Sequence, residues 1–200
     1  MVGYHVIFGA YGFWLPNDPR GSWSDFVGSW ELFRYGPATT TDERRSQAYE
    51  PHDRAKRLAA KKALKHPAVN FTGAQIEAIA AGFNTYFLSS GRLCWACAIM
   101  PDHVHLAVGM GKIDIEQYVI QLKGEATQAL VDKGLHPFQD LVPRNARPPK
   151  CFARGEWKVY LDPPDVPRCV GYVDEDPEKE GRPRQKWSFV TPSPSDYLLG

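Results

Sequence analysis

The sequence predicts an α+β fold, an antiparallel sheet with helices packed mainly on one face. Three observations predict it. Residues 3–11 and 103–109 are short and rich in β-forming side chains. Residues 72–91 and 114–133 carry apolar side chains at helical spacing. Between them, 93–109 reads as a hairpin, so the order is strand, helix, hairpin, helix, with a short helix near the end. The chain has 200 residues, which suits one domain spanning 1–200. Hydrophobic residues make up 43% and charged residues 24%, enough for a real core. Lys and Arg number 24 against 23 Asp and Glu, a formal net charge of +1. This excludes a whole-protein electrostatic signal, so any anion-binding surface must be local.

The first strand is GYHVIFGAY (3–11). A Gly, Pro and Trp-rich stretch follows, and 14–67 reads as a loop and helical insertion ahead of the first core helix. Within it, DERRSQAYE (42–50) and DRAKRLAAKKALK (53–65) read as helical pieces split by Pro51, and His66-Pro67 stops the second. Thr72 and Gln75 form a capping box for the helix that Gly91 ends, with Ile76, Ile79, Ala80, Phe83 and Phe87 on its buried stripe. Residues 93–99 are apolar on both faces, which predicts a central strand. Pro101-Asp102 turns the chain. Asp114 and Gln117 are expected to cap the next helix, with Ile115, Tyr118, Val119, Leu122, Ala126 and Ala129 facing inward and Gly134 ending it. A Pro and Arg-rich connector (142–150) leads to FARGEWKVYL (152–161), either a strand or an irregular aromatic segment. Residues 165–176 read as a short helix that Pro177 terminates.

No stretch reaches the roughly 18 apolar residues of a membrane span. The apolar N-terminus has no basic segment before it, so a cytoplasmic protein is expected rather than a secreted one. The four cysteines are Cys94, Cys97, Cys151 and Cys169. Cys94 and Cys97 have the spacing of half a zinc site. On a regular strand, however, residues three apart point to opposite faces, so buried free thiols are expected.

Two segments carry chemistry. In MPDHVHLAV (100–108), His103 and His105 share one face of a strand, while Val104, Leu106 and Val108 take the other. Two imidazoles so placed can converge on one cation, although a histidine pair alone also occurs in protein interiors. In DVPRCVGYVDEDP (165–177), Val166, Cys169, Val170 and Val173 form a helical stripe that should pack on the sheet. Tyr172 and Asp176 are one turn apart at its edge. Asp174, Glu175 and Asp176 lie toward the helix C-terminus, where the macrodipole disfavours each by about 0.3–1 kcal/mol. A nearby cation would offset that cost.

These residues resemble a known family. MPDHVHLAV is similar to the histidine–hydrophobe–histidine (HUH) segment of single-tyrosine DNA transposases. YVDEDPEKEG (172–181) is similar to the Tyr-x-x-x-Asn-Pro-x-x-x-Gly segment of their REP-associated tyrosine transposase branch. Gln121-Leu-Lys123 with GEATQAL (124–130) resembles the Lys-Gly helix that follows the histidine strand there. The resemblance spans about 3–13 and 72–190, and the run WLPNDPRGSW (14–23) resembles a subgroup feature.

The resemblance implies a ferredoxin-like fold, HUH endonuclease architecture and the cutting and rejoining of single-stranded DNA at hairpins. It implies Tyr172 as the nucleophile that forms a 5′-phosphotyrosine. It implies His103 and His105 as ligands of a divalent metal, Mg²⁺ or Mn²⁺. The family's third ligand is an amide. Here Asp176 stands in that place, and a carboxylate is a good ligand for either ion. The implied partner is single-stranded or hairpin DNA, bound by a monomer or a homodimer at the nucleoid.

Charge is local. Residues 53–65 hold six basic side chains, a pattern that fits a solvated helix face as well as a phosphate contact. Lys123, Arg144, Arg147, Lys150, Arg154 and Lys158 are candidate phosphate contacts. Trp157 is a candidate base-stacking residue, as are Trp14, Trp23, Phe152 and Trp187, although at least half of these five should pack internally. Three other readings remain open. One is a metal-dependent phosphodiesterase without a covalent intermediate. Another is an Fe(II) centre built on His103, His105 and Asp176. The third is a domesticated DNA-binding protein.

Overall fold

A computed structural model describes residues 1–13, 15, 53–143 and 145–193. The helical reading of 42–50, most of the 14–67 insertion, and Trp14, Trp23 and Arg144 lie outside them.

Among the described residues four strands form one sheet: β1 (Gly3–Gly9), β2 (Cys94–Ile99), β3 (His103–Gly109) and β4 (Trp157–Leu161). Their order is β2-β3-β1-β4, and every neighbouring pair is antiparallel. Described helices are α1 (Arg54–Lys62), α2 (Gly73–Ser90), α3 (Ile115–Asp132) and α4 (Val166–Lys179). With α1 set aside, the chain runs β-α-β-β-α-β, the ferredoxin-like arrangement.

Alternation sets the two faces of the sheet. Val6 and Phe8 of β1 and Val104, Leu106 and Val108 of β3 are buried on the side covered by α2 and α3. Trp95, Ala96, Ala98, Ala107 and Leu161 point the other way and pack against Val166, Cys169 and Val173 of α4. So α2 and α3 share one face, while among the described helices α4 covers part of the other.

The helix boundaries follow their caps. Thr72 and Gln75 make the reciprocal capping box, and Gly91 closes α2 in the left-handed region at φ 63°. The α3 start differs from expectation, because the Asp114 side chain makes no capping hydrogen bond. α4 also differs. It runs through Pro177 to Lys179 instead of stopping before the proline. Proline lacks an amide hydrogen and costs a helix interior one bond. Pro177 is nonetheless buried within the last turns, and packing there outweighs the lost bond.

β2 is an edge strand, not a central one, yet all six of its residues are buried. Helices cover both of its faces, and the segment after α4 lines its free edge. Gln185 clasps Ile99 there: the Ile99 amide donates to Gln185 Oε1 at 2.7 Å, and Gln185 Nε2 donates to the Ile99 carbonyl at 2.8 Å. The Thr191 amide donates to the Cys94 carbonyl at 2.8 Å.

An irregularity in the pairing of β2 with β3 lies between Cys94 and Ala96. It shifts the phase of the alternation, so Cys94 and Cys97 both face the α2 and α3 core. The opposite-face argument for these cysteines therefore fails. All four cysteines are nonetheless free and buried, and burial holds the thiols of Cys94 and Cys97 above their ordinary range.

At the α2–α3 crossing, a Cβ on Gly82 would lie 2.6 Å from the Glu125 carbonyl oxygen and 2.7 Å from Ala126 Cα. Both are backbone atoms that cannot step aside. Alanine gains about 1 kcal/mol of helix propensity over glycine, but overpacking typically costs about 1–3 kcal/mol. Gly82→Ala should therefore lower stability, and Gly82→Val should lower it further. Urea denaturation of both variants checks this, and a stabilised Gly82→Ala protein would contradict the close approach.

Candidate metal centre and nucleophile

β3 turns its second face toward α4. His103 and His105 emerge on it with Ala107, and Ala107 forms part of the apolar floor on which α4 docks. The α4 stripe of Val166, Cys169 and Val173 fixes the helix against that floor. Asp176, one turn beyond Tyr172, then faces the two imidazoles. Its Oδ2 lies 3.5 Å from His103 Nε2 and 3.7 Å from His105 Nε2. One ligand atom from each of the three residues falls within 4.8 Å of the others. Asp102, His103 and Glu180 form a second such group on the exposed side.

The geometry fits a cation. Asp176 Oδ2 is buried and has no hydrogen-bond partner, a costly state for a carboxylate oxygen. Separations of 3.5 and 3.7 Å are too long for good hydrogen bonds to the rings. Two imidazole nitrogens and a carboxylate oxygen are a donor set that divalent first-row metals accept.

Two further residues support the histidines, and the sequence reading missed both. Asp102 Oδ1 lies 2.6 Å from His103 Nδ1. With Nδ1 held by Asp102, Nε2 is the nitrogen aimed at Asp176; a cation that displaced its proton would find the lone pair there, the usual way a carboxylate orients a ligating imidazole. His5 of β1 lies beside His105, with Nε2 3.3 Å from His105 Nδ1. A sequence signal for His5 did exist. Val6 and Phe8 are core residues, so by alternation His5 belongs on the face of the histidine pair.

Burial and charge act against each other here. Burial pulls the His103 pKa down, but the Asp102 and Asp176 carboxylates raise it to about 9. Burial, reinforced by His103, lowers His105 to about 3. Burial lowers His5 to about 4. Burial alone would raise the Asp176 pKa, but His103, His105 and Lys179 hold its carboxyl below the usual range. The carboxylate is therefore ionised at neutral pH, while His5 and His105 are neutral.

Tyr172 is 46% exposed. Its ring centroid lies 5.8 Å from those of both His5 and His105. The Lys179 ammonium sits 3.9 Å from the ring centroid, a cation–π contact that restricts the ring. Burial, then Asp176 and Cys169, raises the phenol pKa. Two other tyrosines are placed differently: Tyr118 is fully buried in the core and Tyr160 is exposed on β4.

The basic and aromatic candidates divide. Arg147, Lys150 and Arg154 are exposed. Lys123 is engaged within the fold, its ammonium donating to the carbonyls of Ala153 at 3.1 Å and Gly155 at 2.7 Å. Burial lowers its pKa to about 8. Lys158 pairs with Glu116. Trp157 packs edge-on to His5, with centroids 5.1 Å apart. Phe152 is buried in the core, and Trp187 stacks on Phe189.

No family model matches the chain, and no curated protein matches it. Solved structures similar to it include two transposases. One is a REP-associated tyrosine transposase bound to a REP hairpin, at 12% identity and a TM-score of 0.47, covering 94% of this chain and 74% of that one. The other is a protein of Deinococcus radiodurans R1 described as a candidate transposase, at 13% identity and a TM-score of 0.40, covering 86% and 88%. The chain resembles these transposases in structure. Among the described residues no helix is long and apolar enough to cross a membrane.

The histidines make stability depend on pH. The folded-state pKa values of His5, about 4, and His105, about 3, lie below the ordinary value. Below about pH 6.5 the unfolded chain takes up protons that the fold refuses, so stability falls as pH drops toward 4. His103 works the other way: its contribution is complete below about pH 6.5 and is lost as pH rises through about 9. It does not offset the acid loss. Urea denaturation in EDTA should show a loss on the order of 5 kcal/mol between pH 6.5 and 4, since two histidines contribute and each tenfold difference in proton affinity between the folded and unfolded chain is worth about 1.4 kcal/mol. The loss should shrink in His5→Phe.

Proposed function

We propose that the protein is a metal-dependent tyrosine endonuclease and strand transferase, a transposase acting on single-stranded, hairpin-bearing DNA. One observation carries this reading. A single helix, α4, presents an exposed tyrosine and, one turn later, a buried carboxylate that faces two imidazoles. A carboxylate between two histidines can hold a cation beside a phosphate, and the tyrosine is the nucleophile within reach of that phosphate. The motif resemblance supplies the substrate class.

His103, His105 and Asp176 would hold the divalent cation, Mg²⁺ or Mn²⁺. When bound, it neutralises charge on the scissile phosphate and polarises its phosphorus centre. Tyr172 Oη attacks phosphorus, and its proton passes to solvent, to which the residue is open. A phosphorus–oxygen bond to tyrosine forms as the bond to the 3′ oxygen breaks. The 3′ oxygen takes up a proton, and a 5′-phosphotyrosine remains. One phosphodiester replaces another, so a second 3′-OH can reverse the step without an energy source. Lys179 holds the Tyr172 ring and adds positive charge beside it.

On this reading Arg144, Arg147, Lys150 and Arg154 contact the phosphate backbone, and Trp157 stacks against an unpaired base. Lys123 and Lys158 act through the loop and strand they hold. One copy of the chain carries the three ligand residues and Tyr172 together, so the chemistry needs no second copy.

Labelled single-stranded hairpin DNAs from the gene's own flanks, incubated with Mn²⁺ or EDTA and run on denaturing protein gels, test this. The wild type should give a metal-dependent covalent adduct. Tyr172→Phe should lose the adduct and all cleavage while keeping hairpin binding within about twofold, since it removes one hydroxyl that the DNA contacts only in the reaction. Cleavage retained by Tyr172→Phe would leave a phosphodiesterase without a covalent intermediate. Binding without cleavage by the wild type would leave a DNA-binding protein. His103→Ala and His105→Ala should each reduce metal-dependent cleavage by at least about 100-fold, the scale expected when a metal ligand is lost.

A further inference from the structure

We propose that His5 is a positioning residue for the metal centre, accepting the Nδ1 proton of His105 and so turning the His105 Nε2 lone pair toward Asp176. This rests on the metal reading of His103, His105 and Asp176.

In the β1–β3 pair, Ile7 is opposite His105 and His5 is opposite Ala107. His5 and His105 are therefore diagonal neighbours on one face of the sheet, a separation that long side chains bridge. The rings meet with His5 Nε2 3.3 Å from His105 Nδ1 and centroids 5.5 Å apart.

Two neutral imidazoles share one hydrogen bond in either of two ways. If His5 donates, His105 carries its proton on Nε2, and that nitrogen has no lone pair for a metal. If His105 donates from Nδ1, its Nε2 is free to ligate. That nitrogen is the one facing Asp176 Oδ2, at 3.7 Å. Only the second arrangement makes His105 a ligand. His5 is then the acceptor that selects it, as Asp102 is for His103.

The surroundings hold His5 in place. The Trp157 ring meets it edge-on at 5.1 Å, and the Tyr172 ring lies 5.8 Å away. His5 is thus wedged between β4 and the nucleophile's helix. A residue far from the HUH segment in sequence acts on one of its two histidines.

The test uses full-length protein, with Mn²⁺ as the probe. In metal-free wild type, ¹⁵N shifts of His105 should report the Nδ1-protonated tautomer. In His5→Phe, which keeps the ring volume, they should move toward the Nε2-protonated form. Mn²⁺ affinity read by electron paramagnetic resonance should fall about 10–100-fold in His5→Phe, the usual cost of losing such a partner. His5→Gln, whose side-chain carbonyl can accept the same proton, should recover most of the loss. Circular dichroism establishes that each variant is folded, and the His5→Gln rescue separates positioning from packing.

An Nε2-protonated His105 in the wild type overturns the proposal. So does unchanged Mn²⁺ affinity in His5→Phe while His103→Ala and His105→Ala lose the ion. If those two alanine variants bind Mn²⁺ as the wild type does, the metal reading itself fails and the role of His5 fails with it.

Discussion

The site depends on one constraint: β3 must be buried on both faces. It is an interior strand, flanked by β1 and β2. Its apolar face, Val104, Leu106 and Val108, packs under α2 and α3. Its other face carries two histidines, and among the described residues α4 covers it. Docking α4 on the floor of Trp95, Ala96, Ala98 and Ala107 is favourable by hydrophobic burial alone. That same docking brings Asp176 to the imidazoles and leaves Tyr172 at the rim. The packing that stabilises the sheet therefore also assembles the donor set, and a change in the stripe of Val166, Cys169 and Val173 would disturb both.

Burial then sets the electrostatics. Three imidazoles and a carboxylate lie within a few ångströms, where desolvation penalises every charge. The two rings that face little compensating charge stay neutral. His103, between Asp102 and Asp176, does not. Asp176 stays ionised, its Oδ2 ion-paired with His103 at 3.5 Å but without a hydrogen bond. A cation between these groups would replace that ion pair and displace the proton from His103.

Much of this was legible in the sequence because local rules sufficed. The capping box of α2, the alternation of β3, and the one-turn spacing of Tyr172 and Asp176 all depend on residues close in the chain. What was missed depends on tertiary context. The phase shift between Cys94 and Ala96 leaves no mark in the apolar run, so the cysteine geometry was misjudged. β2 is apolar on both faces because helices and a C-terminal segment cover an edge, and composition cannot tell that from a central strand. Pro177 continues α4 because its burial outweighs the missing hydrogen bond. His5 needed the β1–β3 register, which pairs residues about a hundred positions apart. Lys123 and Lys158 have partners within the fold that the sequence does not show, because a charge is visible in sequence and its partner is not.

The acidic end of α4 has a consequence for substrate approach. Asp174, Glu175, Asp176, Glu178 and Glu180 crowd the helix C-terminus, where the macrodipole already adds negative potential. Lys179, Arg182 and Arg184 only partly balance them, and Arg184 is itself paired with Glu178. A net charge of +1 offers no long-range attraction to make up the difference. A phosphodiester brought to Tyr172 would thus enter a locally repulsive field unless a divalent ion sits between Asp176 and the histidines. On the proposed reading, the ion admits the phosphate as well as activating it. The exposed Arg147, Lys150 and Arg154 would hold flanking DNA without it. Binding of the hairpin as a whole and placement of the scissile phosphate are then separable, the first set by the basic connector and the second by the metal.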